Sequence, residues 1–397
     1  MAHWQGHRMG LFRLTVPLLK RSCGRTAISR HFVTWSQVRT ASFWGSSKVT
    51  DWNKAVSEAE KIVGYPTSFM SLRCLLSDEL SNVAMEMRRL VGTKHPLLKM
   101  ARKFLYDGKH AIHTRGLLVL LMSKAAGPCQ DEALSETMNS GIYPRQRSLA
   151  EIIEMINTAN LIHKGVVNIA ELQPSDGSVE DMHFGNKMSV LSGDFLLANA
   201  STGLAALNHT YVVELISSAI GDLVEAEFVG PRDKFGHPLL LSDQATIDDW
   251  ERKAFLSSGS LIAKSCKAAM MLANHDKVKQ EMAYAFGKHT ALAHQLKEEL
   301  QPYLGYSDSG VTVTVQGAPA ILYVKLHPEK AKQFGFISNP DVNSKLLRRV
   351  IKNSDAIEQA KQLLQIHGQK ALSALSTFTP SDARSALEKI VNAIVAV

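Results

Sequence analysis

The sequence has few cysteines and no arrangement that would use them. Cys23, Cys74, Cys129 and Cys266 are widely spaced among 397 residues, without a CxxC pair or a Cys–His ligand spacing. A disulfide framework and a structural zinc site both need such clustering, so neither is predicted. We expect these thiols to be free and buried.

The first fifty residues lack aspartate and glutamate but contain eight basic residues: Arg8, Arg13, Lys20, Arg21, Arg25, Arg30, Arg39 and Lys48. They account for the net charge of +8, so residues 51–397 are neutral, which argues against nucleic-acid binding. Basic, Ser- and Thr-rich segments of this kind are typical of mitochondrial transit peptides. We therefore expect residues 1–50 to be a disordered or removed leader, and the protein to lie in the mitochondrial matrix. A basic tail is the alternative, whereas a secretory signal fits poorly because Arg13 interrupts the only apolar stretch.

Long apolar runs are also missing. None approaches the ~18 residues that span a bilayer, and short runs such as 117–122 lie within helical patterns. We therefore expect a soluble protein without a transmembrane segment.

From residue 51 onward the apolar residues recur mainly with a period of 3.6, which predicts α-helices. Glu151 and Glu154 are expected to face away from an apolar stripe formed by Leu149, Ile152, Ile153, Ile156 and Ala159. No repeat or long linker occurs, so residues 51–397 are predicted to form a single all-α domain. The β-branched segment 311–316 conflicts with this pattern. Since a lone strand cannot satisfy its backbone groups, we expect a loop or a helix start there.

Five segments together carry a family resemblance: 149-LAEIIEMINTANLIHKGVVNIAEL-172, 184-FGNKMSVLSGDFLLANA-200, 260-SLIAKSCKAAMMLA-273, 284-YAFGKHTALAHQLKEEL-300 and 336–387. In this order they resemble the trans-polyprenyl diphosphate synthases of the all-α isoprenoid synthase family. The resemblance implies a bundle of antiparallel helices around a deep central cavity. It also implies two DDxxD motifs that hold Mg²⁺ while pyrophosphate leaves an allylic substrate, because a four-residue spacing places the outer aspartates on one helix face.

The first of these motifs is degenerate in this chain. The family pattern LIHDDxxD corresponds to 161-LIHKGVVN-168, so Lys164, Gly165 and Asn168 occupy the aspartate positions. A lysine would place a cation where Mg²⁺ should bind, which disfavours the metal. A direct grip of Lys164 on a diphosphate is the alternative, but one ammonium cannot match a metal cluster. We expect a solvated or salt-bridged lysine.

The second motif corresponds to 295-QLKEELQP-302, with Glu298 and Glu299 at the first two aspartate positions and Pro302 at the last. Gln295 matches the family. The longer glutamates would bind Mg²⁺ weakly at best, because the ion tolerates little departure from octahedral geometry. We expect a solvated helix face at Glu298 and Glu299.

Most of the family's diphosphate-binding side chains are also absent. The segment 108-GKHAIHTRG-116 keeps Lys109 and Arg115, but six residues apart, a spacing that turns a helix by ~240°. Asn157 stands at the family's histidine position, and 173–175 and 257–258 lack the expected basic residues. Lys109, Arg115 and Gln295 remain as candidates for residual diphosphate binding.

His294 and Glu298 have the i, i+4 spacing of metal ligands, but no third ligand is evident, and we expect His289 and His294 to be helix-surface histidines. No catalytic residue, metal site or bound cofactor is therefore predicted for this chain.

Within the family, the chain most resembles the second, non-catalytic subunits of decaprenyl diphosphate synthases. This implies a non-catalytic or regulatory subunit of a heteromeric all-trans polyprenyl (decaprenyl- or nonaprenyl-type) diphosphate synthase, supporting ubiquinone side-chain biosynthesis. The catalytic partner, in a heterotetramer, would carry Mg²⁺, with contacts through the small-residue helix 187–205. A long prenyl diphosphate and a peripheral membrane contact are compatible with this role, and nucleic acid is not. The alternatives are a self-sufficient prenyltransferase using Glu298 and Glu299, and a prenyl-chain carrier without a synthase partner.

Overall fold

The computed structural model describes residues 48–64, 87–98, 114–129, 140–230, 244–305, 313–337 and 343–396. These ranges contain thirteen α-helices and no β-strand. The helices are α1 Lys48–Val63, α2 Thr114–Ala126, α3 Pro144–His163, α4 Val179–Ala206, α5 Thr210–Glu225, α6 Ile247–Ala254, α7 Ser260–Leu272, α8 Lys277–Leu304, α9 Ala318–Leu326, α10 Pro328–Gln333, α11 Ser344–Lys352, α12 Ala356–Leu375 and α13 Asp382–Val395. The predicted all-α class is confirmed. Residues 1–47, most of the predicted leader, lie outside the described ranges, and the division into leader and single domain stays a prediction.

Polar residues set the starts of the long helices. The Ser178 hydroxyl accepts a hydrogen bond from the backbone N–H of Asp181 at the start of α4, and the Asp276 carboxylate accepts one from Lys279 at the start of α8. These bonds satisfy N–H groups that the first helical turn leaves without partners. The sequence therefore fixes where each of these helices begins.

Helix α8 is central to the packing. Its 28 residues span about 42 Å, with α7 on one side and α12 on another. Phe286, Leu292, Leu296 and Leu300 are completely buried along it. A second layer is formed where α3 packs along α4, and α2 contacts α3, α7 and α13.

Two smaller predictions can be compared with the described residues. Residues 313–316 form a non-helical segment that leads into α9, as expected for the β-branched stretch. Cys266 is free and fully buried, and burial raises the pKa of its thiol to about 12, while Cys129 is free and half-buried. Cys23 and Cys74 lie outside the described residues.

Among the helices that the structure describes, none combines the length and the apolar character required to cross a membrane.

Candidate functional site

The first motif position lies at the carboxyl end of α3, where Lys164 forms the helix cap. Its Nζ is 3.1 Å from Oε1 of Glu227, and both side chains are largely exposed. The expected salt-bridged lysine is confirmed. Gly165 is buried, and the Asn168 side chain accepts a hydrogen bond from the backbone N–H of Ala170. None of the three positions presents a carboxylate.

The loop after α3 is fastened to α4 by a side chain that the sequence did not point to. Asn186 Nδ2 donates to the Val167 carbonyl at 2.9 Å, and the Val167 N–H donates to Asn186 Oδ1 at 2.8 Å. His95 Nε2 lies 3.2 Å from the same oxygen, and its Nδ1 accepts a bond from the Leu97 N–H. Because Nδ1 accepts, Nε2 carries the proton and donates to Asn186. The loop after the first motif position is thus held to α4 and to His95 by hydrogen bonds.

Two glycines of α4 let this region pack closely. A Cβ added at Gly193 would lie 2.1 Å from Nε2 of His163, the last residue of α3, and one added at Gly185 would lie 2.4 Å from the His95 ring. His163 Nε2 also lies 3.3 Å from the Val190 carbonyl and from Asp194 Oδ1. Gly193 therefore serves contacts within the protomer.

At the second motif position, the structure corrects the sequence expectation for Glu299. Its neighbour Glu298 is exposed as expected, but Glu299 is only 6% exposed and its oxygens are engaged. Trp250 Nε1 donates to both oxygens at 3.0 and 3.1 Å, Ala318 N–H donates at 2.7 Å and Gln295 Nε2 donates at 2.8 Å. Burial raises the pKa of Glu299, and these hydrogen bonds oppose the rise.

Glu299 is buried rather than solvated because of its direction on the helix and the elements packed against that side. Adjacent residues on a helix point about 100° apart, so Glu298 and Glu299 cannot share a face. Glu299 points toward α6 and the start of α9, where two N–H donors need an acceptor. Gln295, one turn earlier on α8, orients the carboxylate through its hydrogen bond to Glu299.

Cations stabilise the carboxyl end of α8. Arg348, only 4% exposed, donates from Nε to the Pro302 carbonyl at 2.6 Å. Lys352 Nζ donates to the Gly305 carbonyl at 3.0 Å. Positive side chains are favourable there because the last carbonyls of a helix carry partial negative charge. The position of the last family aspartate, Pro302, is therefore part of a helix end held by an arginine.

A buried hydrogen bond links α2 to α3. Glu154, expected to face away from the apolar stripe, is in fact completely buried, and its Oε1 accepts a 2.7 Å bond from the Gly116 N–H. That expectation was wrong. Burial lowers the pKa of Arg115 and the neighbouring Glu154 charge raises it. Asn157, at the family's histidine position, is also buried, and its Nδ2 lacks a partner among the described residues.

Arg115 also faces a cavity of about 60 Å³ between α1, α2, α7, α8 and α13. Thr290 and His294 of α8 line it, with Trp52, Ile262 and Ile390 among the apolar side chains. His294 stacks against Trp52 at 5.9 Å between ring centroids. Lys109 lies outside the described residues, so the relative directions of Lys109 and Arg115 stay a prediction.

The expected surface position is wrong for His289. Its Nδ1 is 3.0 Å from Nδ1 of His367, which is buried on α12. Burial lowers the pKa of both imidazoles to about 4, with neighbouring Lys288 and Lys370 lowering it and Glu251 raising it. The pair is a structural contact between α8 and α12.

The residues at the two motif positions do not fit a magnesium cluster. Mg²⁺ needs several oxygen ligands in octahedral geometry. The first position supplies an ammonium, a glycine and an amide, and the second supplies Glu298 together with Glu299, whose oxygens are already engaged. In the part of the chain that the structure describes, no group of three or more His, Cys, Asp or Glu is placed to hold a metal ion.

Several large apolar side chains on α4, on α5 and just after α5 are exposed to solvent. Leu191, in the middle of α4, is 51% exposed, and its neighbour Val190 is exposed as well. Tyr211, near the start of α5, and Phe228, shortly after its end, are 71% and 69% exposed. Within the predicted contact helix, Ala198 faces solvent, but Gly193 and Ala200 face inward. We call Val190, Leu191, Tyr211, Val224 and Phe228 the α4–α5 surface. Exposed apolar side chains in this number are typical of contact surfaces.

Comparisons with known proteins agree with this architecture. Residues 95–309 match the polyprenyl synthetase family. A Rattus norvegicus protein named all trans-polyprenyl-diphosphate synthase PDSS2 is 51% identical over 350 residues, covering 86% of this chain and 87% of the relative. A probable mitochondrial hexaprenyl pyrophosphate synthase of Neurospora crassa is 32% identical over 407 residues, covering 88% and 89%. Decaprenyl-diphosphate synthase subunit 1 of Schizosaccharomyces pombe is 28% identical over 354 residues, covering 84% and 93%.

Solved structures give the same fold. The apo form of an Arabidopsis medium/long-chain length prenyl pyrophosphate synthase aligns with a TM-score of 0.54 and 26% identity, covering 81% of this chain and 97% of that one. Heptaprenyl diphosphate synthase from Staphylococcus aureus aligns with a TM-score of 0.60 and 19% identity, covering 81% and 98%. The predicted isoprenoid synthase-type helical bundle is confirmed. By its family match and by relatives that align along most of its length, this chain belongs to the polyprenyl synthetase family.

Proposed function

We propose that this chain is the non-catalytic subunit of a heteromeric all-trans polyprenyl diphosphate synthase, of the decaprenyl or nonaprenyl type, that supports ubiquinone side-chain biosynthesis. The observation that supports this proposal most directly is that neither motif position offers a set of free carboxylates. Lys164 caps α3 and pairs with Glu227, while Glu299 accepts hydrogen bonds from Trp250 and Ala318 inside the protein. The names of the PDSS2 and decaprenyl-diphosphate synthase relatives support the reaction class.

The catalytic partner in this proposal carries the aspartates and the Mg²⁺. Removal of pyrophosphate from an allylic carbon needs cations close to the departing oxygens, and Mg²⁺ bound by carboxylates supplies them in this reaction class. In this chain Arg115 is the described candidate cation facing a cavity, and it is already beside Glu154. One guanidinium whose charge is offset by a neighbouring carboxylate cannot replace several metal ions, so the chain alone is expected to make no product.

The α4–α5 surface is the proposed contact with the catalytic subunit, in a heterotetramer. Burial of each large apolar side chain there contributes roughly 1.5–3 kcal/mol relative to exposure. Arginine at a central position of such a surface leaves an unpaired charge in the interface and is expected to disrupt association.

Co-expression with an aspartate-bearing polyprenyl synthase subunit tests the proposal. The purified single chain, supplied with Mg²⁺, farnesyl diphosphate and isopentenyl diphosphate, should form no prenyl product, and the co-purified pair should form a long one. Leu191→Arg should abolish co-purification and pair activity. Val278→Arg is the matched control, since Val278 is 63% exposed at the start of α8, and it should leave both unchanged.

Each opposite outcome identifies an alternative. Product formation by the single chain would support a self-sufficient prenyltransferase. Failure to bind any active subunit, combined with retention of added prenyl diphosphate, would support a carrier.

Location in the mitochondrial matrix belongs to the same proposal. It is supported by the composition of residues 1–50 and by the mitochondrial naming of the Neurospora relative. A reporter fused to residues 1–50 should enter the matrix and lose the leader. A diffuse cytosolic signal would contradict this part of the proposal.

A further inference from the structure

Positive charge is concentrated in one segment of an otherwise neutral body. Residues 51–397 carry equal numbers of basic and acidic side chains, yet residues 325–352 contain seven basic residues against only Glu329 and Asp341. The basic residues are Lys325, Lys330, Lys332, Lys345, Arg348, Arg349 and Lys352. Arg348 is turned inward against α8, so the others determine the surface charge.

Helix α11 arranges its charges as a stripe. Lys345, Arg349 and Lys352 are exposed at i, i+4 and i+7, which places them on one side of the helix. Leu347 and Ile351 are completely buried on the other side. The helix Ser344–Lys352 contains no carboxylate. Its outward face is therefore uniformly positive.

A groove lies beside this stripe. It encloses about 360 Å³ between α9 and α10 on one side and the end of α11 on the other. Tyr323, Lys330 and Phe334 form one wall, Val350 and Asn353 form the other, and Asp355 lies at one end. Phe334 is 39% exposed and contacts the buried Phe336 at 5.6 Å between ring centroids. We call this groove, with Lys345, Arg349 and Lys352 beside it, the basic groove.

Two cations of the basic groove, Lys330 and Arg349, lack the carboxylate partners that lysines elsewhere in the described residues have, whereas Lys352 donates to the Gly305 carbonyl. Lys164, Lys267 and Lys288 each pair with a glutamate within 3.1 Å. Lys330 and Arg349 form no ion pair with any residue that the structure describes, and both are exposed. Lys332 has only a 3.9 Å contact with Glu329, which is itself 88% exposed. Exposed cations without counter-charges attract an external anionic surface.

We propose that the basic groove docks on a bilayer surface that contains anionic phospholipids. Lys330, Lys345 and Arg349 would contact the phosphates, and Phe334 would enter the interfacial region beside them. An exposed aromatic ring next to a basic helix face is the pattern of proteins that lie on membranes. Each basic residue near an anionic bilayer contributes to binding additively, and the attraction decreases with salt. A nucleic acid would also bind cations, but it makes no use of an apolar groove wall next to them.

The proposal goes beyond subunit function and does not depend on it.

Sedimentation with vesicles tests the proposal. The full chain should co-sediment with vesicles of phosphatidylcholine and phosphatidylglycerol much more than with phosphatidylcholine alone. Lys345→Glu with Arg349→Glu should lower the partition coefficient at least about tenfold. Phe334→Ser should lower it by a smaller factor, and this decrease should persist at high salt because it does not depend on charge.

Lys54→Glu with Lys277→Glu is the matched control, because both residues are exposed, the charge change is identical, and Lys277 lies at the far end of α8 from α11. The control variant should retain binding. Residues 1–50 are present in every variant, so their contribution to binding is the same in each comparison. Lys345→Gln with Arg349→Gln, checked by circular dichroism, separates loss of charge from loss of folding. The proposal would be overturned if the control pair lost binding equally, or if the protein bound only neutral vesicles. It would also be overturned if Lys345→Glu with Arg349→Glu still bound the anionic vesicles and lost only its binding to a single-stranded oligonucleotide.

Discussion

The two segments that stand at the family's aspartate positions differ in where their side chains go. At the end of α3 no carboxylate remains, and Lys164 makes an exposed ion pair with Glu227. At the end of α8 two carboxylates remain, but Glu299 is turned into the protein and accepts bonds from Trp250 and Ala318. A carboxylate at a motif position is therefore no evidence for a metal site until its direction is known. The first position has the wrong chemistry, and the second has the right chemistry in the wrong direction.

The largest expected effect separates Glu299 from its exposed neighbour. Glu299→Ala should lower the free energy of unfolding by about 3 kcal/mol, because the N–H groups of Trp250 and Ala318 lose their acceptor in a buried setting. Glu298→Ala should change it by no more than about 0.5 kcal/mol. Urea unfolding followed by circular dichroism measures both. Equal effects would remove the distinction between the two glutamates.

The next largest change in stability is expected where α3 and α4 pack closely beside the first motif position. Gly193→Ala should destabilise the protein by about 2 kcal/mol, because the new Cβ would overlap the His163 ring. Gly221→Ala is the matched helical control: nothing lies within 4 Å of its added Cβ, so it should stabilise by about 0.5–1 kcal/mol. Thermal unfolding compares them. A stabilising Gly193→Ala would mean that α3 and α4 do not pack closely.

Acid should lower the free energy of unfolding through the histidine contact between α8 and α12. The pKa of His289 and of His367 is lowered to about 4 in the folded protein, below the usual 6.5. Well above pH 6.5 neither state is protonated and stability is full. As pH falls through 6.5 toward 4, the unfolded chain gains protons first and stability is lost. Between pH 7 and pH 5 the expected loss is about 2 kcal/mol for each of the two imidazoles.

His289→Gln should make this pH dependence shallower, because one titrating imidazole is removed. His183→Gln, at an exposed position of α4, should leave it unchanged. Chemical denaturation at several pH values gives the slopes. Identical slopes for the two variants would contradict the assignment to the histidine pair.

A small effect is expected at the surface ion pair. Lys164→Ala should alter the free energy of unfolding by less than about 1 kcal/mol, since exposed ion pairs are weak and screened. The same unfolding assay applies, with Lys264→Ala for comparison, because Lys264 pairs with Asp222 at a less exposed site. A larger loss for Lys164 than for Lys264 would show that the motif loop depends on this pair.

No effect at all is expected on activity when carboxylates are restored at the first position alone. The chain with Lys164→Asp and Gly165→Asp should still form no prenyl product with Mg²⁺, because Glu299 remains engaged and Asn157 remains at the histidine position. Incorporation of labelled isopentenyl diphosphate measures this. Detectable elongation by the single chain would contradict the proposed function.

Sequence periodicity predicted the helical class, because the spacing of apolar residues follows from the geometry of one helix. The absence of a carboxylate at Lys164 followed from the resemblance to the family motif. Glu154 and Glu299 were both expected to be solvated, as polar residues next to an apolar stripe ordinarily are. Each is buried because another element supplies donors: Gly116 for Glu154, and Trp250 for Glu299. Those donors are 38 and 49 residues away in the chain, a separation that local periodicity does not register.

Two other contacts were equally invisible. Asn186 and Val167 meet only because α4 folds back along the loop after α3, and the Gly193 gap is filled by His163 for the same reason. The small residues of 187–205 predict a contact with a partner subunit, which stays a prediction, and Gly193 also packs against His163 within the protomer.

The sequence by itself determined the helices, the neutral charge of residues 51–397 beside the basic residues 1–50, and the residue types at both motif positions, because these depend on composition and on spacing within one element. Only the tertiary structure decided which carboxylates are free, which histidines meet and which cations of residues 325–352 face outward. Those outcomes depend on donors and charges brought together from distant parts of the chain, where burial makes every polar group require a partner.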